Sequence, residues 1–182
     1  MNYANIKYRD IADGEGVRTT LFVSGCSHHC ENCFQPETWR FSYGQEFTAE
    51  VADEVLATLD DFFIDGLTFL GGEPMEPENQ RGLLDLAKRA KALHPEKSIW
   101  CYTGDIYEDL IDAASPRHTE ETDELLSLID VLVDGPYIDS LRDITLRFCG
   151  SSNQRVIDMN ETRKAGEVVL WKDEEVYSTH SM

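Results

Sequence analysis

The chain has 182 residues, a length that suits one domain with a substantial core and does not demand two. It is 41% hydrophobic and 28% charged, with no low-complexity tract, which argues against disorder. Its 16 basic residues face 35 acidic ones, and a formal net charge of -19 repels phosphate backbones and anionic lipid, so neither nucleic acid nor a membrane is the expected partner.

The opening MNYANIKYRD has no apolar h-region and no window approaches membrane-spanning length, so a cytoplasmic protein is expected. After this lead-in, residues 19–23 (TTLFV) read as a short buried strand that runs into Ser24, Gly25 and Cys26. Residues 48–63 place Val51, Val55, Leu56, Leu59 and Phe63 at helical spacing behind Thr48 as N-cap. The apolar run 66–70 (GLTFL) is a strand stopped by Gly71 and Gly72, and a helix follows from about Pro77 to Leu93. Residues 98–102 (SIWCY) form the next strand, then helices near 105–113 and 123–129, then a strand at 131–133. Strands are also expected at 155–159 and 168–171, the last turning through 172–175 into a hairpin with 176–178.

Strands alternating with helices argue for parallel βαβ units in a single domain, residues 1–182. A complete eight-unit barrel typically needs about 250 residues, so the α/β fold expected here is a partial (βα) barrel with a mostly parallel sheet. The cysteine run, GGEP (71–74), YTG (102–104) and DGPY (134–137) each follow a predicted strand, which puts four motifs on one rim of the sheet.

The run Cys26-Ser-His-His-Cys30-Glu-Asn-Cys33 is a C-x3-C-x2-C loop. In a cytosolic chain such residues are thiols or metal ligands and not a disulfide framework. Three soft thiolates suit three corners of a cubane iron–sulfur cluster and leave one iron without a protein ligand. The alternatives are a Cys3His zinc site using His28 or His29, or a fourth ligand from Cys101 or Cys149. As isolated residues, the two histidines read as solvated loop residues and the two cysteines as small buried hydrophobes.

The C-x3-C-x2-C run followed by Gly71-Gly72-Glu73-Pro74 after the next strand resembles the radical S-adenosylmethionine (SAM) superfamily. Within it, the phrases at 13–34 (DGEGVRTTLFVSGCSHHCENCF), 69–75 (FLGGEPM), 102–104, 130–138 (DVLVDGPYI) and 147–159 (RFCGSSNQRVIDM) resemble the activating proteins of anaerobic (class III) ribonucleotide reductase. Asn32 and Phe34 flank the last cysteine as in relatives of this activase, and Cys149 stands where that family usually has an arginine.

The resemblance implies a [4Fe–4S] cluster on Cys26, Cys30 and Cys33, with SAM chelating the open iron. Reductive cleavage of SAM would give methionine and a 5′-deoxyadenosyl radical. That radical would take hydrogen from a glycine of the large reductase subunit, with a flavodoxin or ferredoxin as electron donor. Gly71 and Gly72 would let backbone approach SAM, and Glu73 would accept from its ammonium; the alternative is a tight strand-to-helix turn. Thr103 would line the sugar, and Asp134, Ser151 and Asn153, with Ser152 and Gln154, would offer further polar contacts to SAM or the partner; ordinary turns and a solvated loop are the alternatives. Arg18 has no assigned role. The rival functions are activation of another glycyl-radical enzyme such as pyruvate formate-lyase, a radical SAM enzyme for a small molecule, and a non-enzymatic closed metal or electron-transfer module.

Overall fold

The computed structural model describes residues 1–172. Its strands are β1 (Asn2–Asp10), β2 (Arg18–Val23), β3 (Gln45–Glu46), β4 (Gly66–Gly71), β5 (Ser98–Tyr102), β6 (Val131–Asp134) and β7 (Arg155–Asp158). They form one sheet in the order β3-β1-β2-β4-β5-β6-β7, open at β3 and β7. The pairings β2–β4, β4–β5 and β5–β6 are parallel, whereas β1–β2, β1–β3 and β6–β7 are antiparallel. The C-terminal ends of β2, β4, β5 and β6 therefore share one rim.

Short central strands buried on both faces read as near-continuous apolar runs, which is why these four were legible. Their side chains divide by alternation. Leu21, Val23, Leu67, Phe69, Ile99, Cys101 and Leu132 pack with the helices α1 (Ala49–Ala57), α2 (Pro77–Leu93), α4 (Thr122–Leu128) and α5 (Met159–Ala165) in one buried cluster. The opposite face carries Thr20, Thr68 and Trp100 in register. Its lower half is closed by Trp100 with Phe148 and Trp171 edge-on at 4.8 and 5.6 Å.

Several elements differ from the sequence reading. The lead-in is the nine-residue strand β1; register shifts between Tyr3 and Asn5 and between Lys7 and Asp10 break its alternation, so period two is absent from its sequence. Thr48 caps α1 as expected, accepting from the Val51 N–H. The helix ends at Ala57, where the Thr58 hydroxyl donates to Val55 O (2.6 Å) and a short 3-10 turn carries the chain to Asp60. The helix expected over 105–113 is the single turn α3 (Tyr107–Leu110). β7 runs antiparallel because no α-helix occupies the connection between it and β6, and a parallel return usually requires a helical crossover. In place of a strand at 168–171 there is an isolated bridge between Leu170 and Ile157, and the predicted hairpin partner at 176–178 lies outside the described residues.

Candidate functional site

β2 delivers the chain into the cysteine loop at the rim. The Gly25 N–H donates to Thr38 O (2.8 Å) and the Cys26 N–H to Trp39 O (3.3 Å), so the first cysteine is anchored by the segment that follows the loop. His29 and Asn32 adopt positive φ (49° and 58°), and the Cys33 N–H donates to Cys30 O (3.2 Å), which coils the loop back on itself. Cys26, Cys30 and Cys33 all border one cavity of about 480 Å³, a volume typical of small-molecule sites. Cys101 and Cys149 do not border it; Cys101 lies in the main core and Cys149 beside the Trp100 cluster. Burial pushes the Cys26 thiol up to about 12, so a bound cation must displace its proton.

The two glycines after β4 bring the second motif against the first. A Cβ on Gly72 would lie 2.5 Å from Gly25 O, and the Gly72 and Glu73 N–H groups donate to Val23 O and Gly25 O (2.8 Å each). The space they open is thus filled by the cysteine loop's own backbone. Glu73 borders the cavity, yet its carboxylate is turned into the wall and is 1% exposed as a residue. Oε1 accepts from the Met75 N–H (2.8 Å); Oε2 accepts from the Gly104 N–H (2.7 Å) and lies 3.0 Å from His28 Nε2.

His28 also lies 3.3 Å from Asp105 Oδ2, and the neighbouring Asp105 and Glu73 carboxylates push the imidazole up to about 10. It is therefore not the solvated loop residue expected from sequence, because three rim turns meet at its ring. A Cβ at Gly104 would sit 2.8 Å from that ring. His29 is exposed and packs edge-on against Trp39 (4.6 Å).

Thr103 is buried, borders the cavity, and accepts from the Asp105 N–H (3.1 Å). Asp134, Ser151 and Asn153 stand behind the cavity wall and do not line it. Asp134 is fully buried, bonded by Arg155 (Nε 2.9 Å) and by the Tyr107 N–H (2.8 Å). Ser151 Oγ accepts from the Ile138 N–H (3.2 Å), and Asn153 Nδ2 donates to Pro136 O (2.7 Å). Gln154, which does line the cavity, accepts from the Gly150 N–H (2.8 Å) and donates to Gly135 O (3.0 Å).

The cavity floor holds residues to which the motifs assigned no role. Phe22, Leu70 and Tyr102 come from the inner face of the sheet, and Lys7 and Asp13 from the unforeseen β1 side. The Tyr102 hydroxyl is buried without a hydrogen-bond partner among the described residues. Burial, with the hydrogen bond and charge of Asp10, raises Asp13 to about 7, and Lys7 Nζ lies 3.5 Å from Asp13. Asp13, Phe22, Leu70 and Tyr102 lie within the phrases at 13–34, 69–75 and 102–104, whereas Lys7 lies in none of them.

Three thiols on one cavity, with an unpartnered hydroxyl on its floor, are a donor set for a soft metal centre plus a polar ligand. The class agrees with that chemistry: residues 12–157 match the family model described as a 4Fe-4S single cluster domain. Among curated proteins, the chain is 41% identical over 156 residues to the anaerobic ribonucleoside-triphosphate reductase-activating protein of Vibrio cholerae serotype O1, covering 85% of this chain and 96% of the relative. The proteins of the same name from Escherichia coli strain K12 and Enterobacteria phage T4 are 40% identical over 158 residues and 38% over 156, covering 86% of this chain and 97% and 93% of theirs. The chain belongs to the family of anaerobic ribonucleoside-triphosphate reductase-activating proteins.

Proposed function

We propose that this chain is a radical SAM activase, built as a partial (βα) barrel, that generates a glycyl radical on the large subunit of an anaerobic ribonucleotide reductase. The carrying observation is that Cys26, Cys30, Cys33 and the Gly71–Gly72 edge border a single cavity at the rim of the parallel strands. The names of the relatives supply the target.

Cys26, Cys30 and Cys33 would hold three irons of a [4Fe–4S] cluster and leave the fourth open to SAM. When bound and reduced, the cluster supplies the electron that breaks a carbon–sulfur bond of SAM, yielding methionine and the 5′-deoxyadenosyl radical that takes hydrogen from the partner's glycine. Gly71, Gly72 and the main chain of Glu73 would border the methionine end of SAM, and Thr103 its sugar. The Glu73 carboxylate, already shared by Met75, Gly104 and His28, would organise the wall and leave the ammonium to backbone groups. Asp134, Ser151 and Asn153 would shape the far wall through Arg155, Ile138 and Pro136. The apolar floor of Phe22 and Leu70 would exclude water from the reacting centre. A flavodoxin or ferredoxin would supply the electron.

The test uses anaerobically reconstituted protein, reduced and mixed with SAM, with EPR and 5′-deoxyadenosine both measured. A [4Fe–4S]⁺ signal altered by SAM, with deoxyadenosine formed, is expected, followed by a glycyl-radical EPR signal on adding the reductase. A cluster indifferent to SAM, or tightly bound zinc, would overturn the reading.

A further inference from the structure

Behind the cavity wall, the cysteine loop, the turn after β4 and the turn after β5 all converge on one guanidinium from a fourth segment. Arg117 lies in the irregular stretch between α3 and α4. Its Nη1 is ion-paired with Glu76, its Nε lies 3.0 Å from Asp105 Oδ2, and its Nη2 donates to Ser27 Oγ (2.9 Å) and lies 3.4 Å from His28 Nε2. Glu76 in turn accepts from the Ser27 N–H (2.6 Å). The Arg117 carbonyl is fixed by Gln80 Nε2 (2.8 Å), itself fully buried on α2. The side chains of Arg117, Glu76 and Asp105 are 14%, 5% and 15% exposed, and none of the three borders the cavity.

We infer that Arg117 is a positioning residue for the cluster: its fork ties Ser27, the residue directly after Cys26, to the turns behind it, and so holds the cysteine loop in its ligating form. This rests on the reading that the three thiols carry a cluster. Two features separate the role from general stabilisation. The partners of the guanidinium are the loop and the two rim turns, with no core residue among them. Only a planar fork with several donors spans these partners at once, so a lysine with the same charge does not replace it.

The experiment measures iron release to an excess of a ferrous chelator from anaerobically reconstituted protein, without SAM or partner, alongside the [4Fe–4S]⁺ EPR line shape and the melting temperature of the metal-free chain. Arg117→Lys is expected to release iron about tenfold faster or more, the usual scale for groups that orient metal ligands, with an altered EPR spectrum and an unchanged melting temperature. Ser27→Ala, which leaves every charge in place, is expected to speed release roughly twofold to fivefold. Wild-type release and line shape in both variants would overturn the inference, as would faster release that merely tracks a fall in melting temperature. Failure of the unmutated protein to retain iron would instead overturn the cluster reading beneath it.

Discussion

One buried and one partly buried arginine stand at opposite ends of the parallel strands, and they are used in opposite ways. Arg18, 1% exposed at the first residue of β2, donates to Thr68 Oγ1 (2.7 Å), Leu67 O (2.6 Å), Ser98 O (2.9 Å), Ser98 Oγ (3.0 Å) and Glu15 O (3.0 Å), all uncharged acceptors. Its guanidinium also lies over Trp100, 5.5 Å from the ring centre. Burial pulls it down to about 10. Arg117 at the rim is held above its ordinary value despite burial, because Glu76 and Asp105 face it. At the base a cation solvated by neutral oxygens fixes strand ends and fills the inner face. At the rim a cation among carboxylates ties loops together, and the fold suffers where a change removes one of those charges and leaves its partners uncompensated.

The sharpest break between the two ends is Cys30→Ala. The half-buried thiol contributes little to packing, so stability should change by less than about 1 kcal/mol, whereas iron content and deoxyadenosine formation should fall to background. Iron analysis and a denaturant melt on the same preparation check both halves. Trp100→Ala is the converse. Removing this 2% exposed ring from between Arg18, Phe148 and Trp171 should cost about 3–5 kcal/mol. That is a drop of about 10 °C in melting temperature for a chain of this size, with the iron stoichiometry intact in the cold. A loss of iron at full stability would contradict the division.

A smaller effect concerns the floor between the two ends. Against the cost of burial, a hydrogen bond with Asp13 holds Asp10 below its ordinary value, while Asp13 is raised to about 7. A carboxyl raised in the folded state adds stability that is complete below its unfolded value near 4 and is lost as pH climbs through about 7. Asp13→Asn should remove that decline, gaining roughly 1–2 kcal/mol at pH 8 once solvent screening is allowed for. Denaturant melts from pH 5 to 8 on both proteins test this, and parallel curves would refute it. The smallest effect is Arg81→Gln, which loses exposed pairs with Glu120 and Glu121 and should leave melting temperature and iron release unmoved.

Local rules carried much of this protein. The three-thiol loop, the glycines after β4, α2 with Pro77 at its start and the four central strands each have a cause within a few residues. Where those rules failed, the cause was distant in sequence. β1 hides its pairing with β2 behind two register shifts. His28 reads as solvated until Glu73 and Asp105 close on it. Asp134 sits after a predicted strand and Ser151 and Asn153 before one, but Asp134 and Ser151 are spent on Arg155, Tyr107 and Ile138, while Asn153 gives its amide N–H to Pro136 and keeps a buried Oδ1 without a partner among the described residues.

Donor type, thiol spacing and the strand ends that carry the motifs were legible along the chain, because ligand softness and strand alternation are properties of neighbouring residues. Which carboxylates face inward, that Lys7 and Asp13 reach the floor, and that Arg117 stands behind the cysteine loop depend on how the chain folds back on itself. Those contacts join residues tens of positions apart, and an ion pair leaves no periodic trace in the chain that makes it.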